Sequence, residues 1–315
     1  MIEDFGKISE PLTGIFKQPG SPEQWQEYML SDQQISHFEE YGFVQGIRVL
    51  NENQVESLRN DLQDIVKLDN MGRQYFYEYK SNESSSPETT LFHALGAWRV
   101  SRSFHDVLWA PGFRMVAYQL LGKKYRFFHD QLFCKPAGHG GTVAWHQDYS
   151  YWTWTKPMAH LTCWIALDDV TTKNGCLYYI PKSHTWGLLP VTDLGGDMES
   201  VKKTLSDEKI ELFKSRVPME LKKGEACFHH PLMVHGSYEN RSQSPRRATL
   251  INVFADGVVS NQGEANNDNF LETNNYPRVP NGQKMGGDYY PLLFDPEKEL
   301  IPFHNVPMIS KLVSK

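Results

Sequence analysis

Two residues near the middle of the chain could share a metal ion. In Trp145-His146-Gln147-Asp148-Tyr149, an imidazole and a carboxylate lie two positions apart. On an extended backbone, side chains at i and i+2 project from one face, so His146 and Asp148 would converge on a point. These are two of the three groups in a 2-His-1-carboxylate facial triad, a ligand set that leaves positions open on Fe(II). A lone H-x-D pair fits a surface turn as well, so the reading depends on a third ligand from elsewhere.

Twelve histidines are available. In His229-His230-Pro231-Leu232-Met233-Val234-His235, strand alternation puts His229 and His235 on one face and His230 on the other. Fully extended, His229 and His235 would lie about 20 Å apart, too far to serve one ion. Gly236 and Ser237 leave room beside His235, which makes it the preferred third ligand. His229 and His230 read as structural or supporting, and His160 and His184 as satisfied polar residues. Shortly afterwards, Arg246-Arg247 opens the apolar strand Ala248–Phe254. A buried arginine grips a carboxylate with two parallel, charge-assisted hydrogen bonds; the competing reading of Ser-Pro-Arg-Arg is a solvated turn.

The elements that must position these groups follow from pattern. Residues up to about 30 read as an irregular arm. Ser31-Asp32-Gln33-Gln34 and Asn51-Glu52-Asn53-Gln54 have the form of capping boxes that start helices. Gly42 ends the first helix, and Phe43 to Leu50 reads as a short strand. The second helix carries an apolar face of Val55, Leu58, Leu62, Ile65 and Val66. Residues 69–95 are polar and predict a mobile loop, with a helical pattern from about Trp98 to Leu121. Short strands are then expected at Phe127–Lys135, Val143–Tyr149, His160–Asp168, Cys176–Ile180, Val217–Lys222, Ala226–His230, Val234–Tyr238 and Thr249–Phe254. Asn174-Gly175 is a hairpin signal, and residues 191–216 read as a polar, partly helical insert. Strands at this spacing predict an antiparallel sandwich or barrel. The expected organisation is one domain over 1–315: a supporting region at 31–122, a β core at 123–256, and a C-terminal coil at 257–315 that wraps the core.

Composition narrows the function. Of 315 residues, 40% are hydrophobic and 13% aromatic, enough for a substantial core and unlike a disordered chain. A formal charge of −6 argues against nucleic acid or an anionic membrane as the main partner. Cys134, Cys163, Cys176 and Cys227 form no C-x-x-C pair and read as buried free thiols. The N-terminus lacks the apolar stretch of a signal peptide, and no apolar run approaches membrane-spanning length. A cytoplasmic protein is the expectation; oligomeric state is left open.

Four motifs tighten the reading: His146-Gln147-Asp148; Asn174-Gly175-Cys176-Leu177; Ile180-Pro181-Lys182-Ser183-His184; and His230-Pro231-Leu232-Met233-Val234-His235-Gly236-Ser237. In this order and near these spacings they resemble the phytanoyl-CoA dioxygenase family, and the likeness runs from about Ser31 to Phe254. It implies a mainly β fold with flanking helices, built on a double-stranded β-helix (jelly-roll, cupin-like) core. It implies Fe(II), 2-oxoglutarate and O2, with ascorbate as a reductant. Carried over, His146, Asp148 and His235 take the iron-ligand positions, and Arg246 grips the distal carboxylate of 2-oxoglutarate, with Arg247 as the register alternative. Gln147, Trp164 and Ser237 take positions lining the cosubstrate pocket; Trp164 reads equally as a buried strand aromatic. The expected reaction is hydroxylation of an unactivated C–H of a small organic substrate, releasing succinate and CO2. Halogenating relatives lack the carboxylate that Asp148 supplies. The alternatives are desaturation, cyclisation or dealkylation in the same barrel, or a non-catalytic jelly-roll binding protein.

For the substrate the residues say less. Tyr149, Tyr151, Trp152 and Trp154 form either a substrate wall or loop packing. Residues 69–95 and 191–216 are candidate lids. Lys156, Arg99 and Arg102 could meet an anion or be surface charges.

Overall fold

Both expected capping boxes form. The Ser31 and Asn51 side chains accept from the backbone N–H of Gln34 and Gln54, and each glutamine side chain returns a bond to its cap. The helices they start run Asp32–Tyr41 and Glu52–Val66, and Gly42 closes the first with φ 85°. The second buries Val55, Leu58, Leu62 and Ile65, while Val66 is exposed. These features belong to a computed structural model that describes residues 3–67, 70–262, 275–299 and 306–309.

The strands, in chain order, are β1 (Phe43–Arg48), β2 (Glu78–Lys80), β3 (Phe92–Leu95), β4 (Tyr125–Lys135), β5 (Val143–His146), β6 (Thr155–Lys156), β7 (His160–Ala166), β8 (Leu177–Tyr179), β9 (Val217–Met219), β10 (Glu225–His229), β11 (His235–Ser237), β12 (Arg246–Ala255), β13 (Val259–Ser260) and β14 (Leu292–Phe294). One sheet has the order β1-β10-β7-β12-β4-β3-β2, with β14 also on β4. A second has the order β5-β11-β8-β9, and β6 pairs with β13. The paired strands are antiparallel.

Period-two alternation divides the larger sheet into two faces. Cys163, Ile165, Ala226, Phe228, Ile251 and Val253 pack against Val55, Leu58, Leu62 and Phe113 of the helices. Their neighbours Trp164, Ala166, Cys227, Ala248 and Leu250 turn the other way and meet Val143, Leu177, Tyr179 and Met219 of the smaller sheet. Helices thus cover one face, and the other closes against the second sheet. This is the mainly antiparallel, jelly-roll arrangement expected.

Four local expectations are corrected. Residues 69–95 are not simply a loop, because β2 and β3 extend the larger sheet there. The helical stretch from Trp98 to Leu121 is broken into Arg102–Asp106, a 3-10 turn at Val107–Trp109, and Pro111–Leu121. Pro111 lacks an N–H and suits the first position of a new helix better than the interior of an old one. Asn174-Gly175 does not make a hairpin: Gly175 turns at φ 82°, but β7 and β8 belong to different sheets. In the C-terminal part, the expected coil includes β13 and β14; residues 263–274, 300–305 and 310–315 lie outside those described.

Candidate active site

The site forms in the gap between the two sheets. A cavity of about 290 Å³ is lined by His129, Gln131 and Phe133 of β4, Trp164 of β7, and Arg246 and Leu250 of β12. From the smaller sheet come Val143 and His146, Leu177, and His235 and Ser237.

β5 ends at His146, and Gln147 stays extended at φ −114°, ψ 133° before Asp148 opens a 3-10 turn. The expected strand to Tyr149 is therefore shorter. One extended residue is enough to turn His146 and Asp148 to the same side. On β11, His235 is the direct cross-strand partner of His146. The two imidazoles lie 4.1 Å apart between ring centres. Asp148 Oδ1 is 3.4 Å from His146 Nε2 and 3.6 Å from His235 Nε2. All three residues are buried, and their ligand atoms lie within 4.8 Å of one another.

The donor set fits a divalent ion. His146 Nδ1 is 2.8 Å from the Ala144 carbonyl and His235 Nδ1 is 2.9 Å from the Met233 carbonyl. A carbonyl only accepts, so each Nδ1 carries the proton and each Nε2 keeps a lone pair facing Asp148. Burial holds His235 well below the usual histidine value, which keeps its ring neutral. Burial works against the Asp148 charge, but the bond from His229 Nε2 to Oδ2 helps to hold its carboxyl well below the usual range. Its second oxygen, Oδ2, accepts from Thr162 Oγ1 at 2.6 Å and lies 2.9 Å from His229 Nε2.

His229 is nearer than an extended chain allows. β10 ends at His229 and the backbone turns through His230–Met233, with Met233 N–H bonded to His230 O at 2.8 Å. The His229 and His235 rings are 4.5 Å apart, so the separation of about 20 Å expected for extended backbone is wrong.

On the other side of the cavity lies a buried cation. Arg246 is 1% exposed and donates to the Gly175 carbonyl at 3.1 Å and to Ser237 Oγ at 3.2 Å. Its guanidinium carbon stands 5.5 Å from the centre of the Trp164 ring. Burial lowers it only to about 10, so it stays charged at neutral pH. Among the described residues, none forms an ion pair with it. Arg247 points to the opposite face and forms two bonds to Asp168, at 2.9 and 2.7 Å. A buried, unpaired guanidinium on the cavity wall fits a carboxylate-bearing cosubstrate.

Of the remaining expected residues, Trp164 and Ser237 line the cavity and Gln147 does not. The Gln147 amide donates to the carbonyls of Gly187 and Leu232 at 2.9 Å and accepts from Leu189 N–H at 2.7 Å. Alternation turns it away from the face that His146 and Asp148 share. His160 is a satisfied buried residue, 3.1 Å from Thr155 Oγ1 and held neutral by burial at about 3. Tyr151 and Trp152 line the cavity, while Tyr149 and Trp154 pack in an aromatic cluster beside it. Val191–Leu194 of the polar insert also reach the cavity. Lys156, Arg99 and Arg102 do not line it, and Arg99 is paired with Asp4 at 2.5 Å.

Several residues were missed by sequence reasoning. Lys135 is fully buried at the end of β4, its Nζ 2.6 Å from Ser237 Oγ. The signal was alternation: His129, Gln131, Phe133 and Lys135 occupy every second position. Glu78, Lys80, Glu83 and His93 form a polar wall within a stretch read as a loop. Glu78, Glu83 and His93 are close enough together for a metal. However, Lys80 Nζ already lies 2.8 and 2.7 Å from the two carboxylates, and His93 pairs with Glu83 at 2.6 Å. This group neutralises itself.

An acid and two imidazoles sharing one cavity with a buried arginine, inside a jelly roll, are the features of an iron- and 2-oxoglutarate-dependent oxygenase. The chain belongs to the phytanoyl-CoA dioxygenase family, whose sequence model matches residues 38–248. It is 25% identical over 239 residues to a methylphosphonate hydroxylase of Gimesia maris, covering 72% of this chain and 83% of that one. It is 23% identical over 255 residues to the peroxisomal phytanoyl-CoA dioxygenase of Homo sapiens, covering 76% and 75%. Among solved structures, the 2-oxoglutarate-dependent carbocyclase SnoK superposes with a TM-score of 0.66 at 22% identity, covering 87% of this chain and 98% of that one. The epimerase SnoN superposes with a TM-score of 0.67 at 20% identity, covering 88% and 99%. These likenesses to solved structures bear on the fold. No described helix is long and apolar enough to cross a membrane.

Proposed function

We propose that this protein hydroxylates an unactivated C–H of a small organic substrate. In this reading His146, Asp148 and His235 would hold Fe(II), and Arg246 would hold the distal carboxylate of 2-oxoglutarate. Together iron and 2-oxoglutarate supply the oxidising power for C–H cleavage by reducing O2, with release of succinate and CO2. Ascorbate is proposed as the reductant that maintains the ferrous state.

The chain's own residues do the rest. The Ala144 and Met233 carbonyls fix both histidines in the tautomer that frees Nε2. Ser237 Oγ, 3.2 Å from Arg246 Nη2, sets the guanidinium on the cavity wall, and Trp164 flanks it. Val143, Leu177 and Leu250 line the wall with apolar surface that limits water. Tyr151, Trp152, Tyr276 and His129 line further cavity wall and are proposed to receive the substrate.

The observation that carries this reading is one cavity holding both a three-ligand cluster and a buried arginine with no ion-pair partner among the described residues. The test is a substrate screen that follows Fe(II)-dependent succinate release, with product mass recorded. A product that gains one oxygen atom supports hydroxylation. Loss of two hydrogens would assign desaturation or ring closure, which begin from the same hydrogen removal. Binding of 2-oxoglutarate with no turnover on any compound would count against an enzyme.

A further inference from the structure

Asp148 has two oxygens, and the structure uses them differently. Oδ1 faces His146 and His235, whereas Oδ2 is held by Thr162 and His229. Behind His229 the contacts continue. Its Nδ1 lies 2.7 Å from the Tyr179 hydroxyl, which lies 3.1 Å from Cys227 Sγ. His229, Tyr179 and Cys227 are each 0% exposed.

The proton positions along this line follow from donor and acceptor chemistry. An ionised carboxylate only accepts, so His229 Nε2 carries hydrogen and donates to Asp148. In a neutral ring, Nδ1 is then an acceptor, and the proton it takes up a bond with is that of the Tyr179 hydroxyl. With its one hydrogen committed, the Tyr179 oxygen accepts from the Cys227 thiol.

The line also crosses between the sheets. Cys227 and His229 share a face of β10 in the larger sheet, and Tyr179 sits on β8 in the smaller one, as the cross-strand partner of His235. Thr162 on β7 is the cross-strand partner of His229. Both donors to Asp148 therefore come from adjacent strands at one level of the larger sheet, opposite the strand that carries His235.

We propose that His229 and Thr162 are positioning residues that hold Asp148 Oδ2 and so keep Oδ1 turned to His146 and His235, with Tyr179 and Cys227 fixing the tautomer in which His229 can donate. His229 is not a fourth ligand, because its Nε2 is spent on Oδ2. This rests on Asp148 being a metal ligand. Outer partners of metal-binding carboxylates and imidazoles typically change metal affinity by about 10–100-fold when removed.

The test is titration of the purified full-length protein with Mn(II) alone, without 2-oxoglutarate, following free Mn(II) by electron paramagnetic resonance. Thermal unfolding of each variant is the control for folding. His229→Phe and Thr162→Val are expected to weaken Mn(II) by about 10–100-fold. His229→Gln keeps an N–H donor and is expected to recover most of the loss, which a purely packing role for the ring would not produce. Tyr179→Phe is expected to weaken binding by a smaller factor, because His229 can then adopt the wrong tautomer. Should His229→Phe fail to fold, Thr162→Val and Tyr179→Phe decide the matter. Variants that bind as tightly as a metal-binding wild type overturn this inference and leave the ligand set intact. A wild type that binds no Mn(II) overturns the ligand set itself, and this inference with it.

Discussion

Lys135 and Arg246 are direct cross-strand partners on β4 and β12, both buried, and their basic ends meet at one hydroxyl. Ser237 Oγ lies 2.6 Å from Lys135 Nζ and 3.2 Å from Arg246 Nη2. Like charges in a directly opposed pair repel. Burial first, and Arg246 second, hold Lys135 well below the usual lysine value. A cosubstrate carboxylate held by Arg246 would favour the charged form of Lys135.

Arg246→Ala is expected to raise the 2-oxoglutarate requirement without weakening metal binding. Truncating one partner of a buried, hydrogen-bonded charge pair costs about 2–5 kcal/mol, or roughly 30-fold or more in affinity. Arg247→Ala should leave that requirement nearly unchanged, because its side chain is committed to Asp168. Calorimetric binding of 2-oxoglutarate to the two variants separates them, and equal losses would sink the assignment of Arg246.

Removing metal should destabilise the native state. A ligand at about 100 times its dissociation constant stabilises by roughly 2.7 kcal/mol, and a chelator reverses this. Unfolding of the metal-loaded protein with and without chelator is expected to show a fall of several degrees in Tm. His146→Ala, Asp148→Ala and His235→Ala should each abolish metal binding and the chelator effect together. A variant that keeps both would show that its residue is no ligand.

The pair Glu83 and His93 predicts a pH signature. Burial opposes the His93 charge, but Glu83 overrides it and raises the imidazole above its ordinary value. That contribution to stability is fully present below about pH 6.5 and is lost as pH rises through the raised value. For Glu83 burial again works against charge, and His93 and Lys80 lower it to about 2. Its contribution is present above about pH 4.5 and is lost as pH falls towards 2. Urea unfolding across this range should give a dome that Glu83→Gln flattens on both sides. An unchanged profile would mean the pair contributes nothing.

Asp168 should matter to the fold more than to chemistry. It accepts from Arg247 Nε at 2.9 Å and Nη2 at 2.7 Å, from the Arg247 backbone N–H at 2.9 Å, and from Arg59 at 2.6 Å. Asp168→Ala leaves Arg247 without its carboxylate and Arg59 with Glu56 alone, and is expected to cost about 3 kcal/mol. Denaturant unfolding measures it, with metal affinity expected to hold.

Much of this was legible locally. The capping boxes at Ser31 and Asn51 and the stop at Gly42 depend on residues within one turn of each other. The convergence of His146 and Asp148 needed only one extended residue between them. The faces of Arg246 and Arg247 needed only alternation, once the strand was known to begin there.

What sequence pattern did not reveal came from contacts between distant segments. Short polar stretches become strands when a partner edge is available, as β2 and β3 do beside β4. His229 joined the site because a turn at His230–Met233 carried the chain from one sheet to the other. The amino-acid sequence by itself determined which groups could bind an ion and an acid, and the local elements that carry them. Only the tertiary structure decided that Lys135, Thr162 and His229 stand behind them, because a side chain's environment is set by strands far away in the chain and not by its own neighbours.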